Sequence, residues 1–203
     1  MVELVQGVGE FQQGAFQENR ELFQKLESGQ APKTLFIGCS DSRVVPNLIT
    51  STLPGDLFVI RNIANMVPPY STEKWECAIS VLEYGVKYLE VENIVVCGHS
   101  DCGGLKALFY PPEKLEEFPA VTRWLQLGTN LKEKYKGILD EKERKEVVEK
   151  ANVVEQLERL MGYPYIRERV EKGKLRLLGW YYKIGTGEVL EYREGNWEPV
   201  GGE

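Results

Sequence analysis

The chain has 203 residues, 42% hydrophobic and 28% charged, which suits one globular domain with a substantial core. Its formal net charge of −6 excludes nucleic acid as the main partner, since phosphate binding needs clustered positive charge. No basic-then-apolar leader and no apolar run long enough to span a bilayer is visible, so no membrane association is expected and the cytoplasm is the default location.

Residues 9–29 read as an amphipathic helix in which Phe16, Leu22, Phe23 and Leu26 recur among charged positions, with Gly29 as its stop. Residues 1–30 thus form a helical arm that packs on its own domain or on a partner chain. Residues 34–38 are short, apolar and unalternating, as in a strand covered on both faces. Cys39-Ser-Asp41-Ser-Arg43 follows, then a short helix over 47–51 opened by Pro46. Leu53-Pro-Gly-Asp56 is a turn, and 57–60 a second strand.

A loop over 61–70 precedes a helix over 73–89. It carries one apolar stripe (Trp75, Ala78, Ile79, Leu82, Val86, Leu89) and a second (Cys77, Val81, Tyr84, Tyr88). A helix apolar on most sides is expected to be covered, here between the sheet and a second subunit. The third strand, 93–97, runs into Gly98-His99-Ser-Asp-Cys102-Gly103-Gly104. From 105 to 162 the chain reads as broken helix. Its best piece is 141–161, with Val147, Val148, Ala151, Val154, Leu157, Leu160 and Met161 on or near one face. A short helix over 164–171, a strand over 175–184 and a hairpin strand over 188–192 complete the chain.

Strands alternating with helices predict an α/β fold: a mainly parallel central β-sheet with an antiparallel edge strand, flanked by helices, in a single domain over 1–203. Ligands of such sheets bind beyond the carboxyl ends of strands, at a switch point. Cys39 ends the first strand, and His99 and Cys102 follow the third, so neighbouring strand ends bring the three together.

Four cysteines in such a chain read as metal ligands or buried thiols rather than disulfides. Two thiolates and an imidazole suit Zn2+, and three protein ligands leave a fourth position open, the mark of a catalytic rather than structural site. Cys97 lies inside an apolar strand and Cys77 on a helix stripe, and neither is expected to bind metal. Asp41 has two roles open to it. It binds the metal directly and closes the site, or it stands off, paired to Arg43, and accepts a hydrogen bond at the metal's open position. Open zinc lowers the pKa of water from about 15.7 towards about 7. Two thiolates donate more charge than histidines do, so activity is expected to favour alkaline conditions. Glycines 98, 103 and 104 fit a tight turn exposing backbone N–H groups to an anion.

C-S-D-S-R at 39–43 and G-H-S-D-C-G-G at 98–104 resemble the zinc-site motifs of the β-class carbonic anhydrases. P-G-D-L-F-V-I-R-N-I-A-N-M-V-P-P-Y at 54–70, L-E-Y-G-V at 82–86 and G-W-Y-Y-K-I-G-T-G-E-V-L near the end are also similar, particularly to plant-type members. The resemblance implies reversible hydration of carbon dioxide to bicarbonate and a proton. It makes Cys39, His99 and Cys102 the zinc ligands and Asp41–Arg43 the catalytic dyad. It places Gln30, Phe58 and Tyr84 in the substrate pocket, at a dimer interface and partly supplied by the neighbouring subunit. It also puts the Gly103 amide on the bound anion, and implies self-association as a dimer or higher even oligomer.

A second group in that family closes its zinc with the aspartate. It has tryptophan three residues before the first cysteine and glycine one before. This chain has Phe36 and Gly38, half of that signature, which favours the open form. The only histidine is His99, so no histidine shuttle exists and turnover is expected to depend on external buffer, with Tyr84 or a water chain assisting. The competing readings are hydrolysis of carbon disulfide or carbonyl sulfide on the same site, and a non-catalytic zinc-stabilised assembly protein. Thiol redox chemistry is disfavoured because no two cysteines have C-x-x-C spacing.

Overall fold

The computed structural model describes residues 2–73 and 77–201. Its centre is a six-stranded sheet in the order β2-β1-β3-β4-β5-β6: β1 (Thr34–Cys39), β2 (Leu57–Asn62), β3 (Asn93–His99), β4 (Arg176–Tyr182), β5 (Val189–Arg193) and β6 (Asn196–Pro199). The first four strands are mutually parallel, and β5 and β6 add antiparallel. The mainly parallel sheet is as expected, with two antiparallel strands at its end where one was predicted. The additional strand follows a Glu194-Gly195 turn in which both residues have positive φ. Its polar sequence, N-W-E-P, carries no apolar alternation by which to recognise it.

The N-terminal arm is helical from Val2 rather than from residue 9, and it is broken into α1 (Val2–Gln13), α2 (Ala15–Glu18) and α3 (Arg20–Leu26). Phe11, Phe16 and Phe23 from the three pieces pack on one another, with ring centroids 5.2–6.1 Å apart. Leu4, Val5 and Val8 remain exposed. Pro46 opens α4 (Pro46–Thr50) as its first residue, where its missing N–H leaves no intrahelical bond unmade.

The central helix of the chain's first half is described from Cys77; Glu73, where it was expected to start, is a bend, and residues 74–76, with Trp75, lie outside the described residues. It comprises α5 (Cys77–Glu83) and a wider π-turn over Tyr84–Tyr88. Ala78, Ile79, Leu82 and Val86 enter the core, as the first stripe predicts. The second stripe is open at three of its four positions in the single chain: Tyr84 is 44% and Tyr88 72% exposed and Cys77 is exposed too, while Val81 packs against the core.

The remaining helices are α6 (Gly103–Ala107), α7 (Pro119–Leu125), α8 (Thr129–Tyr135), α9 (Glu141–Met161) and α10 (Pro164–Glu171). Asp140 caps α9, its carboxylate accepting from the Glu143 N–H at 2.7 Å. One sheet face (Leu35, Ile37, Ile94, Val96) packs against Leu82, Val86, Val153, Leu160 and Ile166 in the largest cluster. Each fully buried aliphatic side chain there contributes about 1.5–3 kcal/mol relative to exposure. Gly98 lets α9 approach β3 closely, since a Cβ there would lie 2.6 Å from a Val153 methyl.

The buried stripe of α9 is Val148, Glu149, Asn152, Val153, Gln156 and Leu160. This is a rotation from the all-apolar face expected. The physical reason is what α9 packs against: backbone loops at the carboxyl end of the sheet, whose N–H and C=O groups need polar partners.

Candidate metal centre and its supports

From β1 the chain runs outward to β2, and from β3 it runs to β4 on the other side. The switch between β1 and β3 opens a crevice at their carboxyl ends. Cys39 is the last residue of β1, His99 the last of β3, and Cys102 the cap of α6. All three are buried, and their donor atoms lie within 4.8 Å of one another. The His99 Nδ1–H donates to the Ser100 carbonyl at 3.0 Å, which places the lone pair on Nε2. That Nε2 is buried and has no hydrogen-bond partner. An unsatisfied imidazole nitrogen facing two sulfurs is a donor set complete for a soft-to-borderline divalent ion, so these residues fit zinc.

The two thiols share their environment unequally. Hydrogen bonding from the Cys102 thiol, with the nearby His99 ring and the Asp41 and Ala64 amides, outweighs burial and holds Cys39 well below the usual thiol range. Cys102 is raised in turn, first because it donates to Cys39 and then because it is buried. Metal binding at such a pair displaces a proton.

Asp41 is held in a two-point fork. Arg43 Nε donates to Oδ1 at 2.9 Å and Nη2 to Oδ2 at 2.8 Å, and the Arg43 amide adds a third bond at 3.0 Å. The guanidinium keeps the Asp41 carboxyl far below the usual carboxylate range. Its Oδ2 lies 4.0 Å from His99 Nε2, at the rim of the crevice.

Several supports were not read from the sequence. Arg61 on β2 donates to the Cys39 carbonyl at 2.9 Å and the Asp41 carbonyl at 2.5 Å, fixing the strand-end loop. Lys145 pairs with Asp101 at 2.9 Å, and Asp101 receives Arg43 Nη2 on its carbonyl at 3.1 Å. Glu149 accepts the Cys102 N–H at 2.9 Å and the Tyr181 hydroxyl at 2.8 Å, and burial pushes its carboxyl up. Asn152 donates to the Ala64 carbonyl, and Gln156 accepts the Val67 N–H, each within 2.9 Å. The signal was present: Glu149, Asn152 and Gln156 recur at helical spacing among valines and leucines, where solvated residues do not belong.

The expected glycine turn is built differently. Gly98, Gly103 and Gly104 have no positive φ; the left-handed residue of the turn is Asp101, at φ 58°. Gly104 is needed for close approach, since a Cβ there would lie 2.7 Å from an Ile63 methyl. Gly103 opens α6, and a Cβ there would meet nothing within 4 Å. Cys97 is buried with Phe36 and Val95, its thiol pushed up to about 12 by burial, and it stands apart from the donor triad along with exposed Cys77.

Gln30, Phe58 and Tyr84 lie elsewhere. Phe58 stacks on Tyr84 with centroids 5.7 Å apart. It pairs in register with Leu35, four residues before Cys39, which is roughly 13 Å down the strand. Gln30 is exposed just before β1. Within one chain these three side chains belong to the amino end of the sheet and the metal centre to its carboxyl end.

Comparison with known proteins agrees with this geometry. The family profile described as carbonic anhydrase matches residues 34–189. A carbonic anhydrase of Synechocystis sp. is 42% identical over 195 residues, covering 95% of this chain and 71% of that protein. The solved structure of the β-carbonic anhydrase CcaA superposes with a TM-score of 0.94 at 40% identity, covering 98% of this chain and 99% of that one. One of two tetrameric β-carbonic anhydrases from Sordaria macrospora gives a TM-score of 0.83 at 34% identity, covering 96% of each chain.

Proposed function

The chain belongs to the β-carbonic anhydrases, a family of enzymes, and from that premise we propose that it catalyses the zinc-dependent, reversible hydration of carbon dioxide to bicarbonate and a proton. Cys39, His99 and Cys102 would hold the metal. The observation that carries the reading is the buried, partnerless His99 Nε2 facing two sulfurs, with an arginine-clamped carboxylate oxygen 4.0 Å away.

When bound, zinc supplies Lewis acidity and makes water a nucleophile near neutral pH. The chain's own residues do the rest. Asp41 stays anionic beside Arg43 and is an acceptor only, so it orients a proton at the rim of the site through Oδ2. The fork to Arg43 occupies both carboxylate oxygens, which supports the open form, in which Asp41 stands off the metal. The Gly103 amide, on the first residue of α6 and next to Cys102, is the proposed contact for the product anion.

The pocket wall is supplied by a second copy: Gln30, Phe58 and Tyr84 lie too far down the sheet to reach the metal centre of their own chain. The exposed Tyr84–Tyr88 face and the apolar arm support such self-association, and the Sordaria macrospora relatives are described as tetrameric. Among the described residues no helix is long and apolar enough to cross a membrane.

The proton leaves without a histidine relay, because the chain's single histidine is a ligand. Metal analysis beside a carbon dioxide hydration assay tests the reading. Stoichiometric zinc is expected, with a rate that rises with pH and with buffer concentration. Stoichiometric zinc without hydration at any alkaline pH would sink it, and a maximal rate independent of buffer would remove the proton-path argument.

A further inference from the structure

Glu149, 2% exposed, is the only buried carboxylate among the described residues, and it makes no ion pair there. A buried carboxylate without a cation is costly unless its oxygens accept hydrogen bonds. Both do. One oxygen takes the backbone N–H of Cys102, and the other takes the hydroxyl of Tyr181, itself 2% exposed on β4. The carboxylate therefore bridges three elements: α9 that carries it, β4, and the turn that bears the ligand.

We propose that Glu149 is a positioning residue for the metal, acting through the backbone of Cys102, with Tyr181 as the group that fixes its carboxylate. The proposal rests on the zinc reading above. The turn needs an external hold, because Asp101, beside Cys102, sits in the left-handed region that non-glycine residues seldom adopt. The other buried polar side chains of α9 serve a different loop, Asn152 and Gln156 holding the backbone of Ala64 and Val67. Glu149 alone on this helix reaches the backbone of a ligand residue. Losing that bond leaves the Cys102 N–H without its partner and frees the turn, so the sulfur no longer faces Cys39 and His99 in one orientation.

The test is zinc release from the zinc-loaded protein into excess chelator, read beside the absorption bands of the cobalt-substituted form. Glu149→Leu is expected to release zinc about 10- to 100-fold faster and to shift the cobalt–thiolate bands, the usual scale for removing a support behind a ligand. Glu149→Gln can still accept the N–H and should stay within about threefold of wild type. Tyr181→Phe should fall between the two. Unfolding of the metal-free proteins is followed in parallel, since a merely structural role would lower stability without separating Leu from Gln in release rate.

Release in Glu149→Leu equal to wild type with unchanged cobalt bands overturns the proposal. If that variant does not fold, Tyr181→Phe decides, and wild-type release there overturns it. A wild type that holds no zinc sinks the functional reading and this proposal together; zinc-loaded wild type with unaltered variants sinks this proposal alone.

Discussion

The two ends of the parallel strands teach opposite lessons. At the carboxyl end, the metal centre is built and tied within one chain: Arg61, Lys145, Glu149 and Asn152 reach the loops that carry Cys39, Asp41, Asp101 and Ala64. At the amino end, Phe58 rests on the core and stacks on Tyr84, which is 44% exposed, and Gln30 is exposed before β1. The difference is one of chemistry. A metal site tolerates little play in its ligands, and here the Cys39 and Asp41 carbonyls and the Cys102 amide are each held by a side chain. The proposed pocket wall for a small apolar molecule would need only shape, and in that proposal another copy of the chain brings it.

The most damaging test of this contrast is Cys102→Ser. It removes a soft ligand from the tied end, and hydration should drop to background, a loss of about 10⁴-fold or more, with sub-stoichiometric zinc in metal analysis. Full zinc content in that variant would mean that the three donors do not act as one site.

Asp41→Asn comes next. It breaks the charge of the fork but leaves the ligands, so the rate should fall by roughly 10²–10⁴-fold with zinc retained. Loss of the metal instead would mean that Asp41 is itself a ligand.

A mixing experiment separates the two ends directly. Asp41→Asn has an intact amino end, and Phe58→Ala/Tyr84→Ala has an intact metal centre. If the pocket is completed by a partner, refolding the two together produces mixed dimers with one whole site each, and about a quarter of wild-type activity returns. If the pocket belongs to a single chain, the mixture stays as weak as its better component.

The smallest effect is expected at Lys145→Met, which releases Asp101 and with it one of the contacts on Arg43. Lys145 is a partly exposed partner, so the rate should fall by only about two- to fivefold. A larger loss in a hydration assay would promote this surface pair to a principal support of the dyad.

Much of the fold was legible because strands of a parallel sheet read as unbroken apolar runs, in β1 and β3 through burial on both faces and in the edge strand β2 despite an exposed Val59. Leu35-Phe-Ile, Val59-Ile60 and Ile94-Val-Val are such runs, and each is a strand. The polar strand β6, exposed at three of its four residues at the sheet's edge, leaves no such trace. The breaks at Gly14 and Asn19 were missed for a related reason, since the apolar spacing passes through them. The donor triad was legible because its residues stand at strand ends, where chain order alone implies a neighbour. Glu149 left a trace in the helical spacing it shares with Asn152 and Gln156, but its partner did not, because which backbone group a buried glutamate meets depends on what packs against the helix.

By itself, then, the sequence determined the alternation that makes the sheet, and the residue types that can hold a soft divalent ion. Both follow from local properties, hydrophobic period and donor chemistry, which each residue carries with it. Only the tertiary structure decided that α9 faces the loops with Glu149, Asn152 and Gln156, and that Asp101 rather than a glycine takes the left-handed turn. It also decided that Phe58 and Tyr84 lie at the far end of the strands from Cys39. Those are matters of helix phase, backbone strain and strand register, fixed by contacts between segments distant in the chain.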